Sequence, residues 1–461
     1  MESQPQELNE IHVIVIPYPI QGHINPMLQF SKQLASRGLK VTLATTPAFS
    51  SKFVHSEQSN SISIETISDG STLTETANTK NVDAYIKRFD LIAPRSLTQL
   101  IETKIQLGHN IKCIIYDSSI PWALDVARQF GVFGASFFTQ SCLVSLIFYQ
   151  VYEGVLRVPI EGPWRGVFTN DTPLLIEARE MPSFVYEVGL YPALEKLVIN
   201  QFTNYGQADW RFFNTFDHLE CEVINWMQSI CTVKTIGPCI PSKYLDNRIP
   251  DDNDYGLSLF QPETDACIQW LDARQSGSVV YISMGSMASL GDKQMEEIAR
   301  ALLKSNKFFL WVVRASEENK IPPNFKEETS EKGLIVNWCP QLEVLSHPAL
   351  GCFVTHCGWN SILEAISLGV PMVAFPQWTD QPTNAKCVTD LWKIGVKVRK
   401  NEGGLVTREE IELCILEVME GDKSNEIKSN AKKWKNLAKE TMEKGGSTSR
   451  NIEEFVAKLQ N

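Results

Sequence analysis

A chain of 461 residues exceeds what one ordinary hydrophobic core holds, so two domains of similar size are expected. With 43 Lys plus Arg against 54 Asp plus Glu, the formal net charge of −11 speaks against a clamp for nucleic acid or an anionic membrane, since both need clustered cationic surface. The 11 cysteines show no CxxC pair and no framework spacing, so most read as small apolar core groups in a reduced cytoplasmic compartment, with neither disulfides nor a structural metal expected.

Glu2, Glu7 and Glu10 precede an apolar run that stops at Pro17. A secretory leader needs a basic start and a longer apolar stretch, so residues 12–16 (HVIVI) are expected as a buried parallel strand. A loop from Tyr18 to His23 should follow. Next come a helix on Ile24, Met27, Leu28 and Leu34, with Pro26 near its start and Gly38 at its end, and a second strand over residues 39–45. The unit type recurs at residues 111–116 (IKCIIY), which end in Asp117 and lead into an apolar helix around Trp122, Ala123, Val126 and Ala127. The sequon at Asn170 reads as a chance match in a cytoplasmic chain.

Residues 240–261 hold Pro241, Pro250 and Asp251-Asp252-Asn253-Asp254, a composition that suits an interdomain linker with a solvated acidic turn. Strand patterns at residues 278–283, 308–313, 334–337, 352–355 and 371–375, with helical patterns between several of them, then predict a second open parallel sheet. Near the C-terminus, Ile427, Ala431, Trp434 and Ala438 form an apolar stripe among solvated lysines. After Gly445-Gly446, Ile452, Phe455, Val456 and Leu459 mark a last helix. The expected division is therefore 1–240, a linker over 241–261, 262–445, and a helix over 446–461 that packs back on the first domain. No segment has the apolar length of a membrane span.

The most informative stretch is residues 338–381, WCPQLEVLSHPALGCFVTHCGWNSILEAISLGVPMVAFPQWTDQ. A strand ends in His356, a turn with Gly358, Asn360 and Ser361 follows, and a helix on Leu363, Ile366 and Leu368 comes next. Free backbone N–H groups and the positive end of the helix dipole at such a turn attract an anion. These 44 residues contain no Lys and no Arg, so a diphosphate held here would rest on backbone, hydroxyls and His356. Trp338 can stack on a nucleobase, Gln341 and Glu364 suit ribose hydroxyls, and Asp380 and Gln381 suit hexose hydroxyls. Singly, each reads more simply as a core Trp, a helix-start residue or a solvated acid; in this order, together, they describe a nucleotide-sugar site.

The stretch resembles, nearly residue for residue, the signature box of plant small-molecule UDP-glycosyltransferases, and the rest of the chain looks like those enzymes over essentially its whole length. The resemblance implies an α/β fold of GT-B architecture, with two Rossmann-like doubly wound domains facing across a cleft. Donor is then bound mainly by the C-terminal half and acceptor by the N-terminal half. By that pattern Trp338 stacks on uracil, the Cys339 backbone pairs with its edge, and Gln341 and Glu364 hold the ribose. His356, Gly358, Asn360, Ser361 and Ser286 hold the diphosphate, while Trp359, Asp380, Gln381 and Thr139 reach the sugar. A box ending in Gln, as here, is associated with glucose more often than galactose. The stretch PYPIQGHINPMLQFSK looks like the branch acting on hydrophobic acids, phenolics, steroids and triterpenoids. Ile362 stands where many relatives carry Thr, which would remove a hydroxyl from the first turn of the phosphate helix.

Inverting glycosyl transfer needs a base on the acceptor side and stabilisation of the departing UDP. His23 follows the first strand and Asp117 ends another, at the sheet edge where ligands of α/β folds bind. A carboxylate on one imidazole nitrogen orients the ring and leaves the other nitrogen free as base. A lone His is more often structural, but the family's catalytic His and Asp match His23 and Asp117. An acceptor pocket should draw on Tyr18, Ile20, Trp122, Phe138, Phe148 and Phe184. The expected partners are a UDP-sugar and a hydrophobic acceptor, with no cofactor, no metal, no nucleic acid, no membrane insertion and a monomeric state. Two rivals remain. Asp252-Asn253-Asp254 has the spacing of a metal-dependent transferase motif but no strand before it, and a non-catalytic binder can use the same fold.

Overall fold

A computed structural model describes residues 10–50, 62–71, 82–166, 174–257 and 262–461. Its strands, in chain order, begin with β1 (Ile11–Ile16), β2 (Lys40–Thr45), β3 (Ile62–Thr66), β4 (Asn110–Asp117) and β5 (Phe133–Phe138). Short strands β6 (Trp164–Gly166), β7 (Leu174–Ile176), β8 (Trp210–Phe213) and β9 (Lys234–Thr235) follow. The second series is β10 (Val279–Ser283), β11 (Phe308–Val312), β12 (Gly333–Val336), β13 (Leu350–Thr355), β14 (Met372–Ala374) and β15 (Gly395–Lys397). Nearly continuous apolar runs such as VVYIS in β10 are buried along their whole length, as parallel strands covered on both faces require.

Two parallel sheets result, ordered β3-β2-β1-β4-β5-β8-β9 and β12-β11-β10-β13-β14-β15, beside an antiparallel β6-β7 ribbon. This is the two-sheet, GT-B arrangement that the resemblance implies. In each sheet the strand order reverses beside the first strand, at β1/β4 and at β10/β13. Connections leave such a point in opposite directions, so a crevice opens at the carboxyl ends of those strands.

One apolar cluster runs through both halves, with Phe138, Phe213 and Leu219 from the first and Phe353, Ile362 and Leu363 from the second. The Trp359 indole N–H donates to the Asn214 carbonyl at 2.7 Å and that of Trp392 to Leu219 at 3.1 Å, pinning the halves together. The Ser447–Gln460 helix lies on the first sheet, where Ile452, Phe455, Val456 and Leu459 join Val13, Leu43 and Ile115, with Phe455 edge-on to Phe212 at 5.0 Å. Nine of the eleven thiols are buried. Among the described residues, no helix is long and apolar enough to cross a membrane.

Three sequence expectations change. The first helix spans Gln21–Ala35, so His23 stands in its opening turn rather than in a loop; the β1 connection closes in four residues, within the usual length for such units. The acidic run is solvated at Asp251, Asn253 and Asp254 but not at Asp252. Asp252 is buried, 2.6 Å from the Lys32 ammonium, and accepts the Ser242 N–H at 2.7 Å, which fastens residues 242–254 to the Gln21–Ala35 helix. Ile362 is fully buried in the core cluster, so its side chain takes nothing from the turn that precedes it. The Asn170 sequon and residues 258–261 of the linker lie outside the described residues.

Candidate active site

Register decides the first constellation. β1 and β4 pair in parallel with Ile16 beside Tyr116, so Asp117, the last residue of β4, stands beside the connection and first helical turn that follow β1. His23 Nδ1 lies 2.6 Å from Asp117 Oδ2, and the second carboxylate oxygen accepts the Ser119 N–H at 2.9 Å. Asp117 is fully buried, while the imidazole keeps 23% of its surface exposed. With Nδ1 donating to the carboxylate, Nε2 is the nitrogen left for a ligand. Thr139, read from the sequence as reaching the sugar, has its hydroxyl 3.2 Å from the same Nδ1.

The second constellation forms at the other switch point. Beyond β13 come His356, Cys357 in a left-handed conformation (φ 66°), and Gly358, the extended N-cap of the Trp359–Leu368 helix. Gly285, at φ 74° beyond β10, faces them. A Cβ on Gly285 would stand 2.6 Å from His356 Nε2, and one on Gly358 2.5 Å from the same atom. Both glycines therefore make room for the imidazole. Burial pushes His356 down to about 4, so in the empty site at neutral pH the ring is neutral and offers an N–H donor. The first N–H groups of the Trp359–Leu368 helix complete a site for negative charge. Arg314 bonds the carbonyls of Ser286 and Ala288, supporting that loop.

Asn360 lines the cavity and makes a contact that the sequence reading did not include. Its side-chain amide donates across the cleft to the Gly22 carbonyl at 2.7 Å. In an uninterrupted helix that carbonyl would accept the N–H of residue 26, which is Pro26 and has none. A residue expected on the diphosphate thus joins the donor helix to the turn that carries His23.

Gln341 and Glu364 are joined into a network. Gln341 Nε2 donates to Glu364 Oε2 at 2.6 Å and to Ser361 Oγ at 3.0 Å, and Tyr281 donates to Gln341 Oε1 at 2.9 Å. Tyr255, from the linker, donates to Glu364 Oε1 at 2.8 Å. Burial pushes Glu364 up to about 7, against the pull of these hydrogen bonds. Trp338 is half-buried at the cavity wall, beside Cys339.

Asp380 stands at the N-cap position of the Gln381–Lys386 helix without bonding its N–H groups, accepting instead from Thr379 Oγ1 at 2.6 Å and from Asn384 Nδ2 at 2.7 Å; burial raises its carboxyl. Gln381 uses its side-chain oxygen on the N–H groups of Gln377 and Trp378, leaving its NH2 for a ligand. The indole N–H of Trp359 is spent on Asn214, which leaves this residue its backbone N–H, at the first position of the helix, for a ligand. Tyr255 and Asn384 were not read from the sequence. Asn384 carried a signal, its spacing of four from Asp380 on a helix, whereas nothing in a turn-rich linker marked Tyr255.

His23, His356, Asn360, Glu364, Asp380 and Gln381 face one cavity of about 800 Å³ between the halves. Tyr18, Ile20, Phe148 and Phe184 line it, joined by Leu194, Leu197 and Val198 from the Pro192–Asn200 helix, none of whose residues is buried. Two expected acceptor contacts lie elsewhere. Trp122 packs on Phe89 and donates to Asp90, and Phe138 is fully buried, stacked on Phe213 at 4.3 Å. Among the described residues, no Lys or Arg lines the cavity.

Residues 231–440 match the family described as UDP-glucoronosyl and UDP-glucosyl transferase, and residues 9–65 a glycosyltransferase N-terminal domain. A mogroside I-E synthase of Siraitia grosvenorii is 47% identical over 456 residues, 98% of this chain and 99% of that one. A flavonol 7-O-beta-glucosyltransferase of Arabidopsis thaliana is 48% identical over 454 residues, 97% and 98% of the two chains. Among solved structures, Os79 from O. sativa in complex with UDP is similar with a TM-score of 0.91 and 38% identity, over 97% of this chain and 100% of that one.

Proposed function

Because the chain belongs to the plant small-molecule UDP-glycosyltransferases, and so is an enzyme that transfers a glycosyl group from a UDP-sugar, we propose that its donor is UDP-glucose. The acceptor is a hydroxyl or carboxyl group of a hydrophobic small molecule such as a phenolic, steroid, triterpenoid or aromatic acid. The products are UDP and a β-O-glucoside, formed with inversion and without a metal ion.

The observation that carries this reading is the His23–Asp117 pair, whose free imidazole nitrogen belongs to a ring lining the same cavity as the cation-free helix N-terminus. His23 Nε2 takes the acceptor's proton while its oxygen forms the new bond to the anomeric carbon from the face opposite the diphosphate. The bond from that carbon to the β-phosphate oxygen breaks, and the electron pair leaves with UDP. Asp117 stabilises the imidazolium so formed. The growing charge on UDP meets His356 and the N–H groups at the start of the Trp359–Leu368 helix. Apolar walls from Tyr18, Ile20, Phe148, Phe184 and Leu194 support a hydrophobic acceptor, as do relatives named for a mogroside and a flavonol.

The test is incubation with UDP-glucose and a panel of phenolic, steroidal, triterpenoid and carboxylic acceptors in excess chelator. Acceptor-dependent UDP release with a β-anomeric product by NMR is expected. An α-anomer, or a requirement for added metal, would contradict the reading.

A further inference from the structure

Thr379 has φ 57°, in the left-handed region that a β-branched residue avoids because its branched Cβ crowds the backbone. A conformation of this kind persists only where surrounding contacts hold it. Here they come from the other half of the molecule. The Ser183 N–H donates to the Thr379 carbonyl at 2.8 Å, and the Thr379 N–H donates to Ser183 Oγ at 2.7 Å. Ser183 opens a one-turn helix, Ser183–Tyr186, whose Phe184 lines the acceptor side of the cavity. The neighbourhood reinforces the clasp. Phe184 and Tyr191 flank the Trp378 ring at 6.2 and 5.4 Å, and Glu180 bridges Lys386 and Lys397 at 3.0 and 2.7 Å. Directly after the strained residue come Asp380 and Gln381, and the Thr379 hydroxyl itself donates to Asp380.

We propose that Ser183, which touches no reacting atom, is a positioning residue for hexose recognition: its paired hydrogen bonds keep Thr379 left-handed, and that turn sets Asp380 and Gln381 toward the sugar. The inference rests on the reading of Asp380 and Gln381 as hexose ligands. It also makes the donor's sugar site depend on an acceptor-side segment, so the sugar loop is complete only when the two halves are together. Without the clasp, Thr379 relaxes to negative φ and the two side chains that follow are re-aimed. Uridine and phosphate contacts arise from other segments and keep their geometry.

Steady-state kinetics of the full chain with UDP-glucose, UDP-galactose and one acceptor, together with inhibition by UDP, tests this. Ser183→Ala is expected to raise KM for UDP-glucose about threefold to tenfold, the worth of a buried hydrogen bond, and to narrow the preference for glucose over galactose. UDP inhibition, which involves no hexose, should be unchanged. Glycine reaches positive φ without crowding, so in a Thr379→Gly background Ser183→Ala should change that KM less than about twofold. An unchanged KM in Ser183→Ala, an equal loss of UDP inhibition, or an undiminished effect in the glycine background would each overturn the proposal. Gln381→Ala is the control. If that variant leaves KM for UDP-glucose and the sugar preference unchanged, the hexose reading itself fails, and the proposal with it.

Discussion

Glu364 shows how one residue's surroundings turn into a measurable dependence on pH. Desolvation holds its carboxyl at about 7, and Tyr255 and Gln341 already donate one hydrogen bond to each oxygen. Ribose hydroxyls donating to the remaining lone pairs favour the ionised form, so bound donor lowers the pKa further. Affinity for UDP-glucose should therefore be full above about pH 7 and fall as pH drops through that value, by up to about tenfold per unit until the lower pKa of the complex is passed. Calorimetric titration between about pH 8 and about pH 5.5 checks this, and Glu364→Gln should flatten the dependence. That Glu364 belongs to a donor site was legible from its place in the box; that it is tied to Tyr255 was not, because the linker's composition says nothing of what it packs on.

Among elements, the Gln21–Ala35 helix carries the sharpest trade between stability and function. Pro26 removes an internal hydrogen bond, and the Gly22 carbonyl it frees takes Asn360 from the opposite half, one residue before His23. Pro26→Ala returns an N–H that competes for that carbonyl. The variant should melt at a higher temperature, since proline inside a helix costs up to about 3 kcal/mol, yet its kcat should fall about fivefold, the worth of one hydrogen bond. Asn360→Ala should lower kcat in the unmodified protein and add little in a Pro26→Ala background; equal effects in both would contradict the link. Thermal melts and turnover together decide it. Period and punctuation made the central strands of both sheets and several helices readable, because burial on both faces leaves runs such as HVIVI and VVYIS, but the longest helix, Val82–Gln106, went unread. They misjudged where the first helix begins, since a turn of helix written QGH has no apolar residue to announce it.

The molecule as an assembly of two halves is one acidic chain folded around a cavity whose described walls carry no Lys or Arg. A dianionic donor would be held there by dipoles, hydroxyls and His356, the inference first drawn from a box empty of cationic residues. The spatial side of the acceptor pocket was the least legible. Phe138 and Trp122 have the right composition and the right neighbours in sequence, but their side chains point into packing layers, a choice made by strand pleat and helix face rather than by residue type. His23 and Asp117 are brought together because β1 and β4 adjoin at the switch point, and the donor helix stands opposite for the same reason in the second sheet. Catalysis of the proposed kind needs a base from one half to act on a donor held by the other. Turnover of His23→Ala with UDP-glucose and a phenolic acceptor, alongside its affinity for UDP, probes that division of labour directly. A loss of about 10²- to 10⁴-fold in kcat with UDP affinity unchanged is predicted, with a smaller loss for a carboxylate acceptor that is already ionised; turnover within a few-fold of the unmodified enzyme would contradict it.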